Sequence, residues 1–225
     1  MKPIAYMHMP FATKFGIPRQ SGLVKELRGE IIMEQAFSRA EAFRGLEQFS
    51  HIWLIWDFSE AALPKDKEWS PTVRPPRLGG NRRMGVFATR SPFRPNSIGL
   101  SCVRLESISQ REGRIVLSVS GIDLMDGTPI YDIKPYIPLA DCHPEATEGY
   151  TAETKQHLLQ VDIAPDLLSQ LPASYHNTVM AILAQDPRPG YSDDAARIYG
   201  IAYGGYDIRF TVEGDMVTVC EIAKA

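Results

Sequence analysis

The sequence predicts a mainly β protein in two parts: a barrel or sandwich over roughly residues 1 to 140, then a smaller unit of helix and hairpin. Three observations carry this. Short apolar segments rich in β-branched and aromatic residues recur through the first part, with period-two alternation in Ile115, Leu117 and Val119. Helical spacing is clearest in the second part, where Leu167, Leu168 and Leu171 are followed by Tyr175, Val179, Ile182 and Leu183. Between the two, Ala140 to Thr154 is polar and acidic and carries Pro144 and Gly149, the composition of a linker.

Taken in order, Pro3 to Met9 reads as a first strand and Phe11 to Gly22 as a loop, because Gly16, Pro18 and Gly22 interrupt any period. Pro18, Arg19 and Gln20 on that loop are well placed for a cleft edge. Met33 to Leu46 is expected to form a short helix, with Ala36, Ala40 and Phe43 on one side and Gly45 as its stop. Phe49 to Phe58 is too short for a typical helix and rich in aromatics, so it reads as a buried strand, with His51 near its start. Gly85 to Thr89, Ile98 to Ile108, Ile115 to Gly121 and Ile130 to Tyr136 follow as strands, with a hairpin turn at Gln110 to Gly113. In the second part Pro165 suits a helix start, Pro172 marks a break or kink, and Ile198 to Ile222 reads as a hairpin turning at Glu213-Gly214.

A chain of 225 residues with 44% hydrophobic content can bury its own core. It has no apolar run of membrane-spanning length and no signal-peptide pattern, so a soluble, cytoplasmic protein without a membrane partner is expected. Cys102, Cys142 and Cys220 are odd in number and far apart, which suits reduced buried thiols rather than a disulfide or a structural metal site. No Walker loop, dinucleotide fingerprint, zinc-protease motif or nucleophile elbow is present.

The charge is unevenly spread. The segment from Trp69 to Leu105 holds Arg74, Arg77, Arg82, Arg83, Arg90, Arg94 and Arg104 and no lysine or acid, so all 27 acidic residues lie outside it. Pro71, Pro75, Pro76, Pro92 and Pro95 stiffen it. Arginine's planar fork binds phosphates and carboxylates in pairs of hydrogen bonds, so the segment reads as an anion-binding surface built on rigid turns. Phe87 and Phe93 among these arginines either stack bases or anchor their loops. Asp123 and Asp126 near the end of a strand either make a β-turn around Gly127 or hold a cation or ribose. His51 serves as a structural histidine or as an acid or base. Asp186, Arg188 and Tyr191 on a proline-locked loop suit either anchoring or substrate contact.

The run TVRPPRLGGNRRMGVFATRSPFRPNSIGLSCVRL, preceded by GIPRQSGLV and RGLEQFSHIWLIW and followed by DLMDGTPIYDIKPY and LAQDPRPGY, resembles the TrmO family, also called TsaA-like or YaeB-like. The resemblance spans nearly the whole chain; the main departure is at Ala140 to Thr154. It implies an S-adenosylmethionine-dependent tRNA methyltransferase with a β-barrel cofactor domain over residues 1 to 145 and a small α+β domain over 146 to 225. The methyl acceptor implied is the exocyclic nitrogen of threonylcarbamoyl-adenosine beside the anticodon of threonine tRNA, and the assembly implied is a homodimer. Carried over by position, the cofactor contacts fall on Pro18, Arg19, Gln20, His51, Ile52, Arg90 with Arg83 as competitor, Leu100, and Asp123, Leu124, Met125 and Asp126.

Methyl transfer from an activated cofactor asks the protein mainly for alignment, worth roughly 7–11 kcal/mol of barrier. A proton must also leave the accepting nitrogen, and Asp186 or the substrate's own carboxylate is expected to take it. Arg94, with Asn96 beside it, is expected at the modified base or its carboxylate, and Arg188 and Tyr191 at the substrate. The competing readings are a non-enzymatic RNA-binding barrel, and a methyltransferase acting on another nucleoside or a small metabolite.

Overall fold

The computed structural model describes residues 1–11, 13–58, 69–75, 78, 82–154, 158–188 and 194–225. Its strands in chain order are β1 (Ala5–His8), β2 (Arg28–Met33), β3 (His51–Asp57), β4 (Thr72–Val73), β5 (Met84–Gly85), β6 (Ile98–Arg111), β7 (Arg114–Ser120), β8 (Pro129–Pro135), β9 (Gln160–Asp162), β10 (Tyr199–Tyr203), β11 (Tyr206–Glu213) and β12 (Met216–Lys224). The helices are α1 (Pro138–Asp141), α2 (Pro165–Leu168) and α3 (Ala173–Ala184).

Six strands close into an antiparallel barrel in the order β1, β2, β7, β6, β3, β8. Closure gives each of these six strands a neighbour on both sides. Alternation sends Ile52, Leu54 and Trp56 of β3 into the core while His51, Trp53 and Ile55 face outward. β6 serves two neighbours, pairing with β3 through Ile98 to Arg104 and with β7 through Arg104 to Arg111. A register shift between Leu105 and Ser107 bends it from one partner to the other, which is how bulges turn barrel corners. The β6–β7 turn is the two-residue kind, with positive φ at both Glu112 and Gly113.

The expected helix over Met33 to Leu46 does not form. Arg28–Met33 is instead a barrel strand, and the following residues make three 3-10 turns, at Gln35–Phe37, Ala40–Phe43 and Leu46–Gln48. Ser38 explains part of this: its hydroxyl bonds the Glu34 carbonyl and accepts the Ile115 amide, diverting the backbone toward β7. The expected strand over Gly85 to Thr89 is likewise only Met84–Gly85, and Val86–Ala88 turns.

The second unit is a four-stranded sheet in the order β10, β11, β12, β9, with β9 parallel to β12. The C-terminal hairpin is therefore a three-stranded meander, with a second turn at Gly204-Gly205. Pro172 is the N-cap of α3, so it separates two helices rather than kinking one.

The two units share one continuous core, and Cys142 and Cys220, expected to be buried, lie exposed outside it. The seam is the loop after β1: Phe11 meets Tyr203 at 5.1 Å, the Pro10 carbonyl accepts the Gly204 amide at 3.0 Å, and Thr178 of α3 bonds the Glu26 carbonyl at 3.3 Å. Gly16 is tight here, because an added Cβ would lie 2.7 Å from Ile201. The loop carrying Pro18 to Gln20 is thereby held between barrel and C-terminal unit.

Candidate active site

The site grows from one polar position inside β6. Alternation points Gly99, Ser101, Val103 and Leu105 inward, and a buried hydroxyl among apolar neighbours needs partners. Ser101 finds two, accepting the Trp56 indole N–H at 3.0 Å and donating to Asp123 at 2.6 Å. Gly99 makes room for the indole, which lies where a side chain on that residue would stand.

Asp123 follows β7 on the segment leaving Gly121. Burial pushes its carboxyl up to about 6, against the lowering effects of the Ser101 hydroxyl, the Ser21 and Asp123 backbone amides and the Arg90 charge. Ser21 also accepts the Cys102 amide at 3.1 Å, and the Gly22 amide reaches Gly121 at 2.8 Å, so the 18–22 loop lies across the barrel mouth. Gln20 accepts a hydrogen bond from Arg90, which brings that arginine's charge toward Asp123. The result is one cluster of Gln20, Ser21, Arg90, Ser101 and Asp123 backed by Trp56.

Asp186 lies on the turn after α3 in the left-handed region, at φ 50°. Its two oxygens are gripped by Arg188 through Nε and Nη2, each at 2.8 Å. Burial alone would raise this carboxyl, but the hydrogen bonds and charge of Arg188 outweigh it and hold the group below the ordinary range. That makes Asp186 a weak proton acceptor. The same pair orients the Arg188 carbonyl, which accepts Arg19 Nη2 at 3.0 Å, so the C-terminal unit grips the residue next to Gln20.

Of the residues expected at the cofactor, Arg90, Gln20 and Asp123 are drawn together, with Pro18 buried and Arg19 exposed on the same loop. Arg83 is held elsewhere, donating to Thr72 at 3.1 Å on the β4–β5 hairpin. Asp126 points away from Asp123 and accepts the Met9 amide at 3.0 Å, closing the end of β1, while Leu124 is buried and Met125 partly so. Asp123 and Asp126 therefore do not act as a pair.

His51 bonds Ser50 at 2.9 Å and is paired with Arg104, three steps along β3 from the partner of Ser101; Ile52 beside it is fully inside the core. Neither joins the cluster. Leu100 lies on the outer face of β6, half-exposed.

Arg94 donates to the Thr89 and Val86 carbonyls at 2.7 and 3.3 Å, stapling its own loop, and Asn96 is exposed two residues on. Tyr191 lies outside the described residues. Sequence reasoning missed Ser21, Ser101 and Trp56. Ser101 was detectable as a lone hydroxyl at an inward strand position, whereas Ser21 carried no signal of its own.

The sequence and the fold have close relatives. The family model described as tRNA-methyltransferase O N-terminal domain matches residues 6–142, and the TrmO C-terminal domain matches 153–225. The chain belongs to the TrmO family. A crystal structure of TrmO from Pseudomonas aeruginosa superposes with a TM-score of 0.77 at 35% identity, covering 99% of this chain and 95% of that one. The tRNA (adenine(37)-N6)-methyltransferase of Escherichia coli (strain K12) is 40% identical over 217 residues, 93% of this chain and 91% of the relative. A Pseudomonas aeruginosa protein named for an S-adenosylmethionine-dependent methyltransferase is 40% identical over 232 residues, 99% of this chain and 97% of its own length. TrmO membership thus covers both the barrel and the C-terminal sheet.

Proposed function

We propose that this chain is an S-adenosylmethionine-dependent tRNA methyltransferase that methylates the exocyclic nitrogen of adenine 37, the activity named for its Escherichia coli relative. The observation that carries the reading is the Asp123 cluster at the barrel mouth. Its donor set fits the cofactor: a carboxylate made costly by burial gains from an ammonium or a ribose diol, Arg90 suits an amino-acid carboxylate, and backbone groups of the 18–20 loop suit an adenine edge. When bound, the cofactor supplies an activated methyl group for a single in-line displacement.

The protein's own part is to hold the two reactants in line and keep water out. Ser101 and Trp56 fix Asp123, and the Asp186–Arg188 pair fixes Arg19 and through it the loop bearing Gln20. With Asp186 committed to Arg188, the carboxylate carried by the substrate is the better acceptor for the departing proton.

The finer reading is that the acceptor is threonylcarbamoyl-adenosine in threonine tRNA, whose carboxylate and phosphates suit the arginine segment. Residues 1–145 form the cofactor domain and 146–225 the α+β domain, and the enzyme works in the cytoplasm. A homodimer is supported by apolar residues exposed on the surface, Ile98 and Leu100 on β6 and Ile137 and Leu139 at α1. The test is methyl transfer to tRNA from cells with and without the threonylcarbamoyl modification. Transfer to the modified tRNA alone is expected; equal transfer to both would remove the modified base as acceptor, and no transfer to either would remove the tRNA activity.

A further inference from the structure

The aromatic residues Trp69, Phe87 and Phe93 of the arginine segment have no part in the cofactor cluster, yet all three are exposed. Trp69 and Phe87 stand with ring centroids 5.7 Å apart and planes tilted by 39°, and they are 40% and 70% exposed. Phe93, on the same stretch, is 50% exposed. Exposed rings on a floppy loop would be unremarkable, but these are on a braced one. The Val86 side chain is buried, its amide donates to Pro71 at 2.9 Å, β4 pairs with β5, and Thr89 closes the turn through both its amide and its hydroxyl onto the Val86 carbonyl. The guanidinium of Arg94 lies 5.7 Å from the centre of the Phe87 ring while Nη1 is tied to two carbonyls. Phe87 is thus held out into solvent by a rigid turn, with a cation against it and Trp69 beside it.

From this we infer that Trp69 and Phe87 form a stacking platform for an unpaired nucleobase of the RNA substrate, next to the nucleotide that is methylated. The inference rests on the tRNA reading above. Charge complementarity selects the occupant: Arg74, Arg82, Arg83 and Arg90 are exposed along the same segment, which contains no acid. A polyanion whose units each carry a π face meets both requirements, since aromatic rings and guanidinium planes stack bases without regard to sequence. The register places it near the chemistry, because Phe87 is three residues from Arg90 and three residues span at most about 10 Å. Arg94, in this arrangement, is a positioning residue that sets the angle of the Phe87 ring.

The test compares wild type, Trp69→Ala, Phe87→Ala and Trp69→Phe in methyl transfer to an anticodon stem-loop RNA and in binding of S-adenosylmethionine. Loss of a stacked base predicts that kcat/KM for the RNA falls about 5- to 150-fold in each alanine variant. Cofactor affinity and melting temperature should stay unchanged, and Trp69→Phe should retain most activity. The stem-loop should also quench a part of the tryptophan fluorescence that disappears in Trp69→Phe, because Trp53 and Trp56 are held by Asp141 and Ser101 within the barrel wall. Undiminished kcat/KM in both alanine variants overturns the platform while leaving the methyltransferase intact. An equal loss of cofactor affinity would make the rings structural, and loss of a dimer in sedimentation would make the patch a contact between copies; either result overturns the proposal. A wild-type enzyme that does not act on the RNA at all removes the tRNA reading and the platform together.

Discussion

Gly99→Ala joins the barrel wall to the cofactor cluster through one contact. A Cβ on Gly99 would lie 2.5 Å from both Cδ2 and Cζ2 of Trp56, with Cε2 between them, whereas carbon atoms pack at about 3.5–4.0 Å. The indole must therefore shift by about 1 Å or more. It is not free to do so, because its N–H is bonded to Ser101 at 3.0 Å and its ring packs against Phe58 with centroids 4.2 Å apart. Overpacking of this kind costs about 1–3 kcal/mol, and losing the Trp56–Ser101 bond adds about 0.5–1.5 kcal/mol. For a chain of this size each kcal/mol lowers the melting temperature by roughly 2–4 °C, so a fall of roughly 3–18 °C is expected. Thermal unfolding measures this, and titration with S-adenosylmethionine measures the second effect, a weaker affinity as Ser101 releases Asp123. The double variant with Trp56→Leu separates cause from coincidence: with the indole gone, Gly99→Ala should cost little. A melting temperature within about 1 °C of wild type, or an equal penalty in both backgrounds, would refute the reasoning.

Three further outcomes concern Asp123, the Asp186–Arg188 pair and Arg94. Asp123 titrates near pH 6 in the folded protein, above the ordinary carboxylate value, so its contribution to stability is fully present below about pH 4 and is lost as pH rises through 6. Melting curves of wild type and Asp123→Asn should diverge across that window, while cofactor affinity rises through it in wild type only; parallel curves would sink the assignment. In Asp186→Asn the bidentate grip on Arg188 is lost while shape is kept, and the same loop is loosened by Arg19→Ala, so both should weaken cofactor binding to a similar degree. A general base at Asp186 would instead lower kcat with affinity intact, which steady-state kinetics distinguishes. Arg94→Lys keeps the charge but not the fork that staples Val86 and Thr89, so activity on tRNA should fall by roughly tenfold with cofactor affinity unchanged; equal losses of both would contradict this.

The segments that are strands over most of their length announced themselves locally. β3 and the first part of β6 alternate buried and outward residues, and the backbone alternates faces whatever its neighbours do, so strand position and inward face follow there from the chain alone, while β7 and β8 show themselves as strands by their β-branched and aromatic residues. The long arginine-and-proline motif likewise identified the family without coordinates. Local reading missed the strand Arg28–Met33, which closes the barrel between β1 and β7, and failed at Met33 to Leu46, where helix formers break into 3-10 turns as Ser38 bonds the Glu34 carbonyl and the Ile115 amide of β7.

Side-chain destinations were decided only by the tertiary structure. Asp123 and Asp126 are three residues apart, yet Asp123 accepts from Ser101 of β6 whereas Asp126, at the turn it makes with Gly127 at φ 73°, accepts the Met9 amide and caps β1. Arg90 rather than Arg83 reaches the cluster because the 18–22 loop crosses the barrel mouth above it, and that loop is placed by contacts with a sheet more than 180 residues later. Residue types and periodicity are properties of the chain, whereas the meeting of Gln20, Arg90, Ser101 and Asp123 is a property of closure, since it depends on which strands pair and on where a distant domain docks.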